Sequence, residues 1–87
     1  MVQVKEAVQK AKAYLPQVFD SVDGRNVRLE GIELTDDAKF WTVTFSYPEP
    51  SVVGALSGLR DYKTVKLRAE DGEFFGAKNG LSSAGLL

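Results

Sequence analysis

The chain has 87 residues, of which 44% are hydrophobic and 26% are charged, and eleven basic against twelve acidic side chains leave a formal net charge of −1. This composition is typical of one folded domain, and it argues against a disordered chain or a strongly basic nucleic-acid-binding surface. Cysteine and histidine are both absent, which excludes disulfides, thiolate nucleophiles and catalytic triads built on imidazole.

The first part of the chain is predicted to form an amphipathic helix. Pro16 lies inside the pattern, and because it lacks an N–H and disfavours helix at Leu15, we expect a break or kink there, with one further turn through Phe19. Asp23-Gly24 is then expected to end the helix. The apolar residues recur three or four positions apart, as in one buried stripe: Val4, Ala7, Val8, Ala11, Leu15, Val18, Phe19 and Val22.

From Asn26 onward the apolar period changes to two, which predicts a strand. The apolar positions move from odd to even numbers at Gly31, since Val27 and Leu29 are followed by Ile32 and Leu34. One extra residue in a strand has this effect, so we predict a β-bulge near Glu30-Gly31. A strand that ends and restarts is the alternative interpretation.

The next strand follows a turn, Thr35-Asp36-Asp37-Ala38, whose composition favours chain reversal. Trp41, Val43, Phe45 and Tyr47 alternate with Thr42, Thr44 and Ser46, so the strand is predicted to have one apolar and one hydroxyl-rich face. Pro48 is expected to end it, because proline cannot donate to a sheet ladder.

A third strand is predicted from about Asp61 to Ala69. Its inward residues are expected to be Val65, Leu67 and Ala69, and its outward residues are Tyr62, Thr64, Lys66 and Arg68. The alternation is that of a strand with one buried face.

The connection to the last strand is predicted from the pairing it imposes. A two-residue turn at Asp71-Gly72 would set Leu67 against Gly76. A three-residue turn at 70–72, with a left-handed glycine, sets Leu67 against Phe75 and Val65 against Ala77. We favour the second, because it pairs apolar with apolar side chains. It also places Phe74 on the outer face.

These elements predict an α+β fold in which one N-terminal helix packs on a four-stranded antiparallel meander, in the order α-β-β-β-β. Residues 1–78 are expected to form the single domain, and residues 79–87 a flexible tail. The predicted core consists of Val4, Val8, Ala11, Leu15, Phe19, Leu29, Ile32, Leu34, Trp41, Val43, Phe45, Val65, Leu67 and Phe75.

The chemistry of the side chains argues against an enzyme. Asp36 and Asp37 are adjacent in a turn, where aspartates usually bond their own backbone. Nothing in the pattern brings paired carboxylates of unlike environment into one cleft, as acid–base catalysis requires. We therefore expect no catalytic residue, no metal site and no cofactor. A cleft around Asp61, Tyr62 and Lys63 would be the arrangement to reopen the question.

The connection 48–60 is a candidate contact surface, because it is long for a compact domain and carries apolar residues without a clear period. The alternative is that these residues fold back onto the sheet edge. The apolar residues of this connection are Val52, Val53, Leu56 and Leu59.

The sheet face opposite the helix is the second candidate surface. Aromatic and basic residues above threonines suit a protein partner, and they also suit the stacking of single-stranded nucleic acid. The balanced charge argues against nucleic acid, and an ordinary solvated face is the remaining interpretation. The residues predicted for this face are Thr42, Thr44, Tyr62, Thr64, Lys66, Arg68 and Phe74.

The chain resembles the PepSY-type domain and the wider group of cystatin-like α+β folds. Two segments carry the resemblance, the helix start from Glu6 to Ala11 and the strand, glycine turn and strand from Tyr62 to Phe75. Arg68 stands where that family often has aspartate, and the charged residues near the start of the sequence lead us to expect no export signal. Val27 to Pro48 is also similar to small bacterial proteins of this build. The resemblance implies a non-catalytic binding or regulatory module, in some cases directed at peptidases, and it assigns no site residue.

We therefore predict a small cytoplasmic protein that acts by binding another protein. Its predicted contact residues are Val52, Val53, Leu56, Leu59, Tyr62, Lys66, Arg68 and Phe74. The alternative is a self-associating module that forms a homo-oligomer through a sheet edge or the outer sheet face. No apolar run reaches the length needed to span a bilayer, so no membrane partner is expected.

Overall fold

The computed structural model describes residues 1–19, 27–48 and 60–80. One helix, α1 (Val4–Val18), is followed by four strands, β1 (Arg28–Leu34), β2 (Phe40–Pro48), β3 (Arg60–Arg68) and β4 (Phe74–Asn79). The strands form one antiparallel sheet in the order β1-β2-β3-β4. The predicted α+β fold and its α-β-β-β-β order are thereby confirmed. The last strand includes Asn79, one residue beyond the predicted domain boundary.

Helix α1 packs on one face of the sheet, mainly over β2, β3 and β4. Its contact stripe is formed by Ala7, Ala11 and Leu15, all of which are fully buried. Two alanines in this stripe keep the helix backbone close to the sheet, and Leu15 supplies most of the apolar volume that the helix buries. The sheet side of the core is formed by Val43, Phe45, Tyr47, Val65 and Leu67.

Three residues predicted for the core are exposed: Val4 at 49%, Leu29 at 44% and Phe75 at 57%. Val2 is buried in the core in place of Val4. Two hydrogen bonds hold Val2 there, since its N–H donates to the Ala69 carbonyl and its carbonyl accepts from the Trp41 indole. Leu29 lies on the edge strand β1, away from the strands that α1 mainly covers. Phe75 is turned outward by the pairing of β4, described below.

The predicted break at Pro16 is wrong, since α1 runs without interruption from Val4 to Val18, and the alternative of a kink there stays a prediction. Pro16 lies in the last turn, so it removes only one hydrogen bond, and it lies on the exposed side of the helix. The Phe19 N–H closes the final turn on the Leu15 carbonyl at 2.9 Å. The expected stop at Asp23-Gly24 lies outside the described residues.

The predicted bulge in β1 is confirmed. Leu29 pairs with Phe45 and Gly31 with Thr44, so Glu30 is the extra residue. The register shift keeps Ile32 on the helix side, opposite Val43. The alternation in the sequence therefore identified both the irregularity and its position.

The predicted pairing of β3 with β4 is correct at one end and wrong at the other. Val65 pairs with Ala77 as expected, but Leu67 pairs with Phe74 rather than Phe75, because the register shifts between Lys66 and Leu67. The bulge changes the pairing only on the turn side of Lys66, where Phe75 becomes the extra residue. Phe74 therefore lies on the helix side, with its ring centroid 5.1 Å from that of Tyr14. Phe75 takes the outer position predicted for Phe74.

The turn before β4 depends on Gly72, whose φ of +76° lies in the left-handed region. A methyl group there would also meet the Lys10 side chain at 2.5 Å. We expect Gly72→Ala to lower the free energy of unfolding by about 1–2 kcal/mol, mainly because of the backbone strain. Gly76→Ala is the matched control, since a Cβ at Gly76 meets nothing within 4 Å. Urea unfolding measures both; equal effects of the two substitutions would contradict the explanation.

Candidate functional site

The sheet face opposite α1 holds the residues of the second surface predicted from the sequence, with the exception of Phe74. Among the described residues, no helix or strand lies over this face. Its centre is a row of hydroxyl groups in which Thr44 donates to Thr64 at 3.0 Å and Thr64 donates to the Gly80 carbonyl at 2.9 Å. Thr44 is 7% exposed and Thr64 2%. These buried hydroxyls are therefore hydrogen-bonded within the sheet and have little capacity to bond a ligand.

One end of this face is a closed polar cluster around Ser46, which is fully buried. The Ser46 hydroxyl donates to the Glu30 carboxylate and accepts from Arg60 Nε at 2.8 Å. Arg28 Nε donates to the same carboxylate at 2.9 Å. These partners lower the pKa of Glu30, the Ser46 hydrogen bond most and the Arg28 hydrogen bond next. The hydrogen bonds of this cluster link β1, β2 and β3. Because Ser46 is inaccessible to solvent, its hydroxyl is not available as a nucleophile.

The other end of the face is an aromatic–basic patch, defined as Phe40, Lys66, Arg68 and Phe75. Arg68 and Phe75 are exposed, and Phe40 and Lys66 are half-buried. The rings of Phe40 and Phe75 lie 4.5 Å apart between centroids, tilted by 56°. Lys66 Nζ lies 4.6 Å from the centroid of Phe40 and 5.3 Å from that of Phe75. Phe75 is 57% exposed. The patch thus offers apolar surface and positive charge side by side.

The patch borders a groove of about 530 Å³ at the end of the sheet. Phe40 and Arg68 belong to both the patch and the groove, which places the groove directly beside the aromatic rings. Arg68 is held by an ion pair with Asp71 of the following turn. The remaining lining residues are Met1, Ala38, Lys39, Ala69 and Glu70.

The predicted contact residues fall into three groups. Tyr62, Lys66 and Arg68 lie on the face opposite α1, as expected, with Tyr62 across from Ser46 at the polar end. Phe74 lies on the helix side, so its expected position on this face is corrected, while Phe75 occupies that position. Val52, Val53, Leu56 and Leu59 lie outside the described residues, and their contact role stays a prediction.

On the helix side, a second cluster surrounds Lys63, which is only 7% exposed. Its ammonium donates to the Asn79 side chain and lies 3.5 Å from the Asp61 carboxylate. It also lies 4.9 Å from the centroid of Phe19. The Tyr47 hydroxyl donates to the same carboxylate at 3.1 Å. These partners compensate the Lys63 charge within the fold, so removing one of them would leave a buried charge without its counter-charge or hydrogen bond.

Asp61, Tyr62 and Lys63 do not line a common cleft, which was the arrangement that would favour an enzyme. Tyr62 lies on the opposite face of the sheet from Asp61 and Lys63. The turn aspartate behaves as predicted: Asp37 accepts from the Thr35 hydroxyl at 2.6 Å and from the Lys39 N–H at 3.0 Å. Both bonds lower its pKa, that of Thr35 more. In residues 1–19, 27–48 and 60–80, no group of three or more acidic side chains is placed to hold a metal ion.

Sequence signals existed for the residues that the sequence analysis missed. Phe40 shares the even-numbered alternation of Thr42 and Thr44, which assigns it to the outer face. Lys63 shares the odd-numbered alternation of Val65 and Leu67, which assigns it to the core side despite its charge. Phe75 had no such signal, since the adjacent Phe74 is an equally apolar candidate for either face.

No known protein family, curated protein or solved structure matches this chain. The resemblance to the PepSY-type domain therefore stays a prediction. Within the part of the chain that the structure describes, no helix has the length and apolar character to cross a membrane.

Proposed function

We propose that this protein is a non-catalytic binding module of the cytoplasm that takes a partner protein at the aromatic–basic patch. The observation that carries the proposal is the tilted pair of Phe40 and Phe75 beneath Lys66, with Phe75 more than half exposed. Aromatic side chains and arginine, which the patch combines, are enriched at protein interfaces.

Two features support a binding role over a structural one. At the polar end of the same face the charged side chains are paired around the buried Ser46, whereas Phe75 in the patch is more than half exposed. Phe75 also contributes little to the core, because it packs on Phe40 on the side away from α1. A large apolar side chain left at the surface in this way favours a contact with another molecule. The family resemblance points to the same class of module.

The proposal is tested by photocrosslinking in cells that express the full chain. Benzoylphenylalanine replaces Phe75 in one variant and Gln9, exposed on α1, in the control. We expect a specific crosslink to another protein from position 75 and none from position 9. Phe75→Ala protein should also fail to compete for that crosslink, whereas unlabelled wild-type protein should compete.

The identity of the crosslinked species decides between the alternatives. A crosslink between two copies of this chain from position 75 would instead support the self-associating module. Equal yields at positions 75 and 9, no crosslink at position 75, or a crosslink to nucleic acid would contradict the proposal.

A further inference from the structure

The charged residues of β3 and β4 are sorted between the two faces of the sheet. Asp61 and Lys63 point to the helix side, where they pair with each other. All the other charged residues of these two strands are basic, and they lie on the face opposite α1: Arg60, Lys66, Arg68 and Lys78. The β3–β4 half of this face therefore has only positive side chains on its strands, although the whole chain has a net charge of −1.

Two of these four cations are paired with described residues, and the other two are not. Arg60 donates to Ser46 at the polar end, and Arg68 pairs with Asp71. Lys66 and Lys78 form no ion pair with any of the described residues. Lys66 lies over the rings of Phe40 and Phe75, so a carboxylate that reaches it also comes close to apolar surface.

We infer that the partner is an acidic protein segment, which places an apolar side chain against Phe40 and Phe75 and carboxylates beside Lys66 and Lys78. This inference rests on the proposed function and adds the chemical class of the partner. Charge complementarity carries it, because opposite charges across an interface select the partner and accelerate encounter. The adjoining groove of about 530 Å³ gives the apolar side chain a concave site beside Arg68.

Single-stranded nucleic acid would also meet aromatic rings and cations here, but the balance of charges favours the acidic segment. Affinity for a nucleic-acid backbone grows with the number of phosphates that free cations neutralise. Only Lys66 and Lys78 are available for that purpose among the described basic residues of this half face. A short acidic segment needs fewer ion pairs, since apolar contact supplies part of its affinity.

The test uses the full chain and fluorescein-labelled probes of equal length, read by fluorescence anisotropy. The probes are a peptide in which Glu and Asp flank a central Leu-Trp pair, the same peptide with Gln and Asn in place of the acids, and an oligo-dT. We expect the acidic peptide to bind most tightly and to weaken as salt is raised. Phe75→Ala should weaken its binding about 30-fold.

The charge contribution is isolated by Lys66→Gln, which we expect to weaken the acidic peptide about fivefold and leave the neutral peptide unchanged. Lys12→Gln is the matched control, because it removes the same charge from an exposed position on α1. Urea unfolding of each variant checks that the fold is intact.

The remaining outcomes overturn the inference in distinguishable ways. Equal binding of the acidic and neutral peptides, with both lost in Phe75→Ala, would overturn the acidic preference and leave the proposed function standing. Tighter binding of oligo-dT, dependent on Lys66, would overturn both. Failure of every probe to bind would overturn the inference, and the crosslink from position 75 would then decide the proposed function separately.

Discussion

Replacing Leu15 with alanine is expected to lower the free energy of unfolding by about 3 kcal/mol. Leu15 is the largest fully buried side chain of α1. Its truncation removes apolar contact and leaves a cavity, and Ala7 and Ala11 are too small to fill it. Urea unfolding followed by the fluorescence of Trp41, which is half-buried against the core, measures the change.

Val18→Ala is the matched control on the same helix. Val18 belongs to the same apolar stripe in the sequence, but it is 41% exposed at the end of α1. We expect a change within about 0.5 kcal/mol, because little apolar surface is lost and alanine is the better helix former. A smaller loss in Leu15→Ala than in Val18→Ala would mean that the stripe is docked differently from the packing described above.

The helix illustrates what apolar periodicity can and cannot predict. The spacing of Ala7, Ala11 and Leu15 identified both the helix and its buried side. Val4 and Val18 continue the same stripe, yet both are exposed. Periodicity records the direction in which a side chain points around the helix axis, but not whether the sheet extends beneath it. That extent is set by strand lengths and by the course of residues 1–3, which are tertiary properties.

The two bulges show that apolar periodicity is also a limited predictor of strand pairing in the sheet. The bulge at Glu30 was predictable because the apolar residues on its two sides, Leu29 and Ile32, differ in parity. The bulge in β4 falls next to the pair Phe74-Phe75, where either register places an apolar side chain on each face. The alternation of apolar residues therefore does not distinguish the two registers. Contacts with Tyr14 and Phe40, remote in sequence, accompany the observed register.

The candidate site was predictable to the extent that it follows alternation. Lys66 and Arg68 were assigned to the correct face because they alternate along β3 with the inward residues Val65 and Leu67. The aromatic half of the patch was not, because it requires both the β4 bulge and the pairing of Phe40 with Arg68. The sequence supports the idea of an aromatic–basic surface, and the structure identifies which rings form it.

Removing the carboxylate of Asp61 is expected to be the second most destabilising of these changes. In Asp61→Ala, the Lys63 ammonium loses its nearby counter-charge while its side chain stays 9% exposed. The Tyr47 hydroxyl loses its acceptor as well. Breaking a fully buried pair costs about 3–5 kcal/mol, and because Asp61 itself is 39% exposed, we expect about 2 kcal/mol here.

A double-mutant cycle with Lys63→Met separates the charge interaction from the loss of contacts. Methionine keeps most of the lysine stem against Phe19 and removes the ammonium, so Lys63→Met alone is expected to change stability by less than about 1 kcal/mol. In that background Asp61→Ala should cost about half as much as in the wild type, because the ion pair is already absent and only the hydrogen bonds from the Tyr47 hydroxyl and the Tyr62 N–H remain to be lost. Equal costs in both backgrounds would show that the ammonium is not compensated by Asp61. The Asn79 side chain and the ring of Phe19 would then be sufficient to hold a charge on the core side of β3.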